Sequence, residues 1–127
     1  MIDLTNKYPR ISDERGFIHD LAVETEIKAV TQIFSNMNSV RANHYHKLTQ
    51  QFNFVAYGSL DLAYREDFDS LVKINRFSRG SFFLIEEKEH HALRFIEDTL
   101  LIVFTIGPRA GKEYESDTYR LPTSLFI

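Results

Sequence analysis

The chain has 127 residues, a length that suits one domain with a single sizeable core. Its net charge of −3 carries no basic block, which argues against nucleic acid and against an anionic membrane surface as partners. The absence of cysteine excludes disulfides, thiolate catalysis and zinc–thiolate centres together, and fits a reducing cytoplasm. Residues 1–10 are polar, without the apolar centre of a signal peptide, and no apolar run approaches the roughly 20 residues that span a bilayer. The expectation is a cytoplasmic protein with no membrane insertion.

Apolar residues recur in short runs rich in Phe and Tyr, the pattern of an all-β chain. In chain order the runs predict strands at Phe17–Ala22, Ala29–Phe34 and Val40–His44. Gln51–Tyr57 and Leu60–Tyr64 follow, flanking Gly58-Ser59, which reads as a tight hairpin turn. Val72–Phe77 precedes a break at Ser78-Arg79-Gly80. Ser81–Ile85 and Leu100–Ile106 are nearly continuous apolar runs, as expected of strands buried on both faces. Between them we read a turn at Glu86–Glu89 and a short strand from His91. From about residue 108 a polar closing segment runs through Thr118 to Tyr119-Arg120-Leu121-Pro122, expected to pack across the barrel or onto a neighbouring subunit. Many short strands without a long helix point to a single sandwich or barrel over residues 1–127, and a jelly roll is one way to hide its edges.

His44-Tyr45-His46-Lys47 is the chemically richest stretch. Side chains in a strand alternate, so His44 and His46 project from one face. A turn at residues 47–50 resets the register, letting Gln51 face the same way from the next strand, and His91 arrives from the second half of the chain. Three imidazoles and a carboxamide oxygen make a first shell for a divalent metal, while the imidazole pair alone can move protons. Lys47 is either a solvated strand-end charge or a cation that keeps the imidazoles neutral. Arg15 and Arg41 are either surface charges or phosphate-binding forks. His19 has no evident partner and reads as structural.

These residues resemble a cupin motif, in which Gly, His-x-His, Glu and Gly follow one another. His44, His46, Gln51 and Gly58 keep the spacing, with Asn38 at the opening glycine and Gln51 at the glutamate. In the second motif Gly80 and His91 match, whereas Glu86 and Lys88 stand where Pro and Gly are usual. A tighter similarity is to the sugar 3,4-ketoisomerases. Arg41-Ala42-Asn43-His44-Tyr45-His46-Lys47, Gln51 and Gly58-Ser59 follow their pattern, and only the glycine at Ala42 departs. Asp13-Glu14-Arg15-Gly16-Phe17 resembles an entry shared with deoxysugar 3,5-epimerases, and Asp117-Thr118-Tyr119-Arg120-Leu121 a closing segment of polysaccharide-synthesis cupins.

The resemblance implies a jelly-roll cupin, commonly a homodimer, that isomerises or epimerises a nucleotide-linked 4-keto-6-deoxy sugar in surface-polysaccharide biosynthesis. It implies His44 and His46 as acid and base without a metal. It also implies Arg15, Arg41, Lys47, Tyr45 and Gln51 as substrate-binding residues, with Phe52 or Phe54 stacking on a base or sugar if they do not simply pack the core. Should a divalent metal such as Zn, Ni, Mn or Fe be bound, His44, His46, Gln51 and His91 would hold it. The neutral Gln51 compensates cation charge less well than a carboxylate, which tips the reading towards metal-free proton transfer. The alternative is a non-catalytic saccharide- or metal-binding cupin. A metal-dependent oxygenase is disfavoured by the missing carboxylate.

Overall fold

A computed structural model describes residues 1–109 and 112–127; Ala110 and Gly111, within the expected polar closing segment, lie outside them. The strands are β1 (Ile2–Asp3), β2 (Arg10–Asp13), β3 (Gly16–His19), β4 (Ala29–Ser35), β5 (Val40–Tyr45) and β6 (Gln50–Tyr57). They continue with β7 (Ser59–Arg65), β8 (Lys73–Ser78), β9 (Phe82–Ile85), β10 (His90–Phe95) and β11 (Thr99–Ile106). A short helix, α1 (Lys112–Ser116), precedes β12 (Tyr119–Arg120).

Two five-stranded sheets carry the fold, in the orders β1-β9-β6-β11-β4 and β12-β5-β10-β7-β8, while β2 and β3 pair only with each other. Every pairing is antiparallel. The sheets face one another, because the core draws Val55, Phe83, Ile85, Leu101 and Val103 from the first and Leu60, Leu62, Phe77, Leu93 and Phe95 from the second. Phe77 and Phe83 stack across the gap with centroids 4.3 Å apart. Burying each such side chain contributes about 1.5–3 kcal/mol. This is the jelly-roll barrel that the resemblance implies, one of the two-sheet forms the strand pattern allows.

Along β6 the odd residues Gln51, Asn53 and Val55 point into the barrel. Phe52 and Phe54 point out and pack with Phe82, Leu84, Phe104, Leu21 and Ile27 beneath the N-terminal segment. They are therefore packing residues and not a platform for a base inside the barrel. β9 is buried throughout as expected, but β11 alternates, with Leu101 and Val103 inside and Leu100 and Ile102 less covered.

Two local expectations are corrected, and the tail gains a detail. Gly58 does not close a hairpin: β6 and β7 belong to different sheets, and the chain crosses between them there. Gly58 has φ +91°, and a Cβ would lie 2.3 Å from Thr99 Oγ1 and 2.5 Å from the Asp98 carbonyl, so only glycine fits. The strand placed at Phe17–Ala22 is Gly16–His19, paired with Arg10–Asp13, whose polar residues hide its strand character. The polar tail contains a helical turn, ended by hydrogen bonds from Asp117 and Thr118 N–H to the Tyr114 and Glu115 carbonyls. From there the tail packs across the barrel, as expected, with β12 extending the second sheet beside β5.

Candidate active site

The site is built on β5 and β10. The register between these strands slips beside His91, which pairs with His44 while Ala92 pairs with Ala42, so Asn43 bulges out. Asn43 is tied down by the C-terminal segment: its side-chain oxygen accepts from Leu125 N–H, and its backbone carbonyl accepts from Leu121 N–H. Ala42 and Asn43 lie in the left-handed region at φ 68° and 59°, as do Asn38 at 71° and Lys88 at 65°. Asn38 and Lys88 stand at glycines of the cupin motifs, and Ala42 at the glycine of the ketoisomerase pattern. The backbone keeps the glycine conformation at all three without the glycine.

His44, His46 and His91 converge, each offering a ring nitrogen within 4.8 Å of the others. The His44 ring centroid lies 4.6 Å from that of His46 and 4.7 Å from that of His91. Two rings are fixed by backbone carbonyls. His46 Nδ1–H donates to the Asp117 carbonyl at 2.9 Å, and His91 Nδ1–H donates to the Glu89 carbonyl at 3.0 Å. A carbonyl can only accept, so both rings carry their proton on Nδ1 when neutral. The remaining nitrogen of His46, Nε2, is buried with no hydrogen-bond partner among the described residues.

Electrostatics keep all three rings neutral. Burial, helped by His46 and Arg120, pushes His44 down to about 3. Burial also holds His91 well below the usual histidine range, with His44 as the next cause. His46 is lowered by burial too, although the Asp117 carbonyl and charge pull the other way. A neutral imidazole is a base and a metal ligand, so the cluster is electronically ready for either chemistry.

His44 and His91 border a cavity of about 340 Å³, at the small end of the range for ligand sites. Arg41, His44, Gln51, Asn53, His91, Arg109 and Tyr114 supply its polar wall, over Ile33, Ile85, Leu93, Phe95, Leu101 and Val103. His44 is thus on the wall, whereas His46 sits one layer behind, in ring contact with His44, His91 and Tyr114. Gln51 and Tyr114 line the cavity together, and burial raises the phenol above its ordinary value, keeping it a neutral donor. Arg109 stacks on the Tyr114 ring at 4.3 Å. A second hollow of about 340 Å³ lies outside the barrel, between Phe52, Phe82, Phe104 and residues 19–27. Its one imidazole, His19, bonds the Tyr8 carbonyl, in keeping with a structural role.

Of the expected binding residues, the structure brings Arg41 and Gln51 to the cavity and leaves three elsewhere. Tyr45 alternates with His44 and so faces out of the barrel, stacked between His90 and Tyr119. Lys47 leaves the cluster for the same side, its Nζ 4.4 Å from the Tyr119 ring. Arg15 lies on the tip of the β2–β3 hairpin, paired with Asp13 and exposed. Arg109, Tyr114 and Asp117 were not assigned to the site from the sequence. Asp117 begins the closing-segment match, but no motif marks the other two; α1 alone brings Tyr114 over the histidines.

No family model and no curated protein matches the sequence. Solved structures do. The TDP-quinovose 3,4-ketoisomerase of Campylobacter jejuni superposes with TM-score 0.74 and 22% identity, over 94% of this chain and 92% of that one. A mutant 3,4-ketoisomerase of Thermoanaerobacterium thermosaccharolyticum, in complex with TDP-4-keto-6-deoxyglucose, gives TM-score 0.71 and 19% identity over 90% and 83% of the two chains. The dTDP-4-dehydrorhamnose 3,5-epimerase of Sulfolobus tokodaii gives TM-score 0.72 and 17% identity over 93% and 76%. At these identities the likeness is one of fold: a cupin jelly roll, nearly complete in each.

Proposed function

We propose that this chain, a cupin jelly roll with a neutral histidine cluster beside an internal cavity, is an isomerase or epimerase of nucleotide-linked 4-keto-6-deoxy sugars. One observation carries the reading: His44, neutral and half-buried, stands on the cavity wall beside His91, with a phenol and two guanidinium groups lining the same cavity. That combination supports moving a proton next to a ketone. The fold shared with 3,4-ketoisomerases and a 3,5-epimerase adds to it.

In this reading a neutral imidazole takes the proton from the carbon beside the ketone. The electron pair moves to the carbonyl oxygen, which neutral donors such as Tyr114 stabilise as an enediol. The former carbonyl oxygen keeps a proton as a hydroxyl, the former carbonyl carbon takes up a proton, and the hydroxyl on the carbon first deprotonated gives up its own, so the ketone has moved by one carbon. His44 meets the sugar, and His46 supports it from behind. Arg41 and Arg109 offer charge to a diphosphate or to sugar oxygens. Arg41 is preset for this, with Nε on Ser35 Oγ at 2.7 Å and Nη2 on the Phe34 carbonyl at 3.0 Å. We place the reaction in the cytoplasm, among steps that make nucleotide sugars for surface polysaccharides, and propose that the protein acts as a homodimer.

The test is solvent exchange. In D2O, with TDP-4-keto-6-deoxyglucose, the wild type is expected to introduce deuterium into the sugar, read by mass spectrometry. His44→Ala is expected to abolish exchange, and His46→Ala to reduce it at least about a hundredfold, within the usual contribution of acid–base catalysis. Absence of exchange across a panel of 4-keto-6-deoxyhexose nucleotides would sink the reading.

A second reading, a non-catalytic saccharide- or metal-binding cupin, draws on the orphaned Nε2 of His46. His44, His46 and His91 are a chemically suitable donor set for zinc or nickel, with Gln51 nearby, and a cation there would polarise a bound oxygen. Chelator treatment separates the readings: exchange that survives metal removal favours the imidazoles alone.

A further inference from the structure

We propose that Asn53 is a specificity-determining residue whose side-chain oxygen accepts a hydrogen bond from a hydroxyl group of the sugar. The cavity then selects a sugar ring that presents one hydroxyl beside an otherwise apolar edge. The inference deepens the sugar-nucleotide reading and rests on it for the class of ligand.

Asn53 is the second of two carboxamides on the inner face of β6. Gln51 precedes it by two residues, so Asn53 lies about 7 Å further along the strand. Its partners in register are Phe83 on β9 and Val103 on β11, whose side chains share its face. Both are buried in the core, as is Val55, the next inward residue of β6. Asn53 itself is only 4% exposed. Valine or leucine would pack there without desolvating an amide, so a polar residue at this position costs stability. A local rule broken at a cost is the mark of a functional position.

Hydrogen bonding fixes which way the amide faces. Nδ2 donates to the Gln51 backbone carbonyl at 3.1 Å. A carbonyl can only accept, so the amide nitrogen and oxygen cannot be interchanged. Oδ1 receives no hydrogen bond from the described residues. It is not among the side-chain atoms sealed inside the protein, so its open side is the cavity that Asn53 lines. A carboxamide oxygen accepts and cannot donate, so the matching ligand group is a donor. Among the described residues no carboxylate lines the cavity, and Arg41 and Arg109 would repel an ammonium group, which leaves a neutral hydroxyl. The neighbouring wall of Ile33, Leu93, Phe95 and Leu101 offers nothing to a second hydroxyl and suits the methyl group of a 6-deoxy sugar.

Calorimetric titration of the full chain tests this, with TDP-6-deoxyglucose, which has no ketone to turn over, and with TDP alone. Asn53→Leu is expected to bind the sugar nucleotide about tenfold more weakly, the size of one neutral hydrogen bond, with TDP affinity unchanged. Its Tm is expected to equal or exceed that of the wild type. Asn53→Val, smaller and β-branched, takes its place if leucine overfills the wall. Sugar-nucleotide affinity equal to wild type, or an equal loss for TDP, would make Asn53 a packing residue and overturn the proposal. A selective loss in a protein that catalyses no deuterium exchange would overturn the isomerase reading and leave this one in place. A wild type that binds no sugar nucleotide would overturn both.

Discussion

Each histidine of the cluster is held neutral by burial, and that has a cost in stability that depends on pH. An unfolded chain takes up protons at its histidines near 6.5, whereas the folded chain refuses them at His44 down to about 3 and at His91 well below 6.5. Because the folded pKa values are depressed, this contribution to stability is complete above the unfolded value and drains away as pH falls from there. Tm is therefore expected to drop steadily between pH 7 and about pH 4.5, before the carboxylates titrate. His44→Asn should flatten that slope, and calorimetry across the range measures both. A wild-type Tm independent of pH over this window would contradict the neutral cluster. The same depression means that the acid limb of the exchange rate is not set by an ordinary histidine pKa.

The β5 strand and the turn before β10 show how an element can keep a motif's backbone while losing its residues. Asn38, Ala42 and Lys88 all occupy positive φ, where a side chain costs roughly 1–2 kcal/mol for most residues and less for Asn. Lys88 is exposed, so Lys88→Gly is expected to stabilise the fold by about 0.5–1 kcal/mol, read as an increase in the denaturant midpoint. Ala42→Gly should gain less, because the Ala42 methyl packs against the core. A loss of stability in Lys88→Gly would show that the turn is not strained. Ala42 and Lys88 look like motif failures in the sequence; the backbone shows the motif's geometry intact. His90 illustrates the opposite lesson. It lies beside His91 in β10 but faces outward, accepting from Arg65 Nε at 3.0 Å and stacked on Tyr45, which alternation along the strand requires.

At the scale of the whole molecule the β2–β3 hairpin is the exception to a closed barrel. Ile11, Phe17 and Ile18 on it are 65%, 59% and 74% exposed, and Val30 on the edge strand β4 is 65% exposed. Apolar surface of this kind on a protruding arm is the usual mark of an interface. For the homodimer proposed above, light scattering is expected to give about twice the 14.9 kDa chain mass. Phe17→Ser with Ile18→Ser should shift the protein towards monomer without changing its circular dichroism. A wild type that stays monomeric at high concentration would refute the dimer. Arg15 rides on the same hairpin, so its distance from the cavity of its own chain follows from where the arm projects.

The sequence by itself determined the β class, most strand positions and the shared direction of His44 and His46, because period-two alternation and local spacing are written into consecutive residues; the meeting of His91 with them depends on the pairing of β5 with β10. The sequence also located the closing segment that crosses the barrel. Which strands pair was beyond it: Gly58 has the composition of a hairpin turn, and only the sheet assignment makes it a crossing point between two sheets. The division of the histidines into a wall residue, His44, and a backing residue, His46, was equally invisible, since both alternate to one face. The fate of Tyr45 and Lys47, the arrival of Tyr114, and the link from Asp117 to His46 depend on segments far apart in the chain. Those contacts exist only after the sheets close, and the tertiary structure alone decided them.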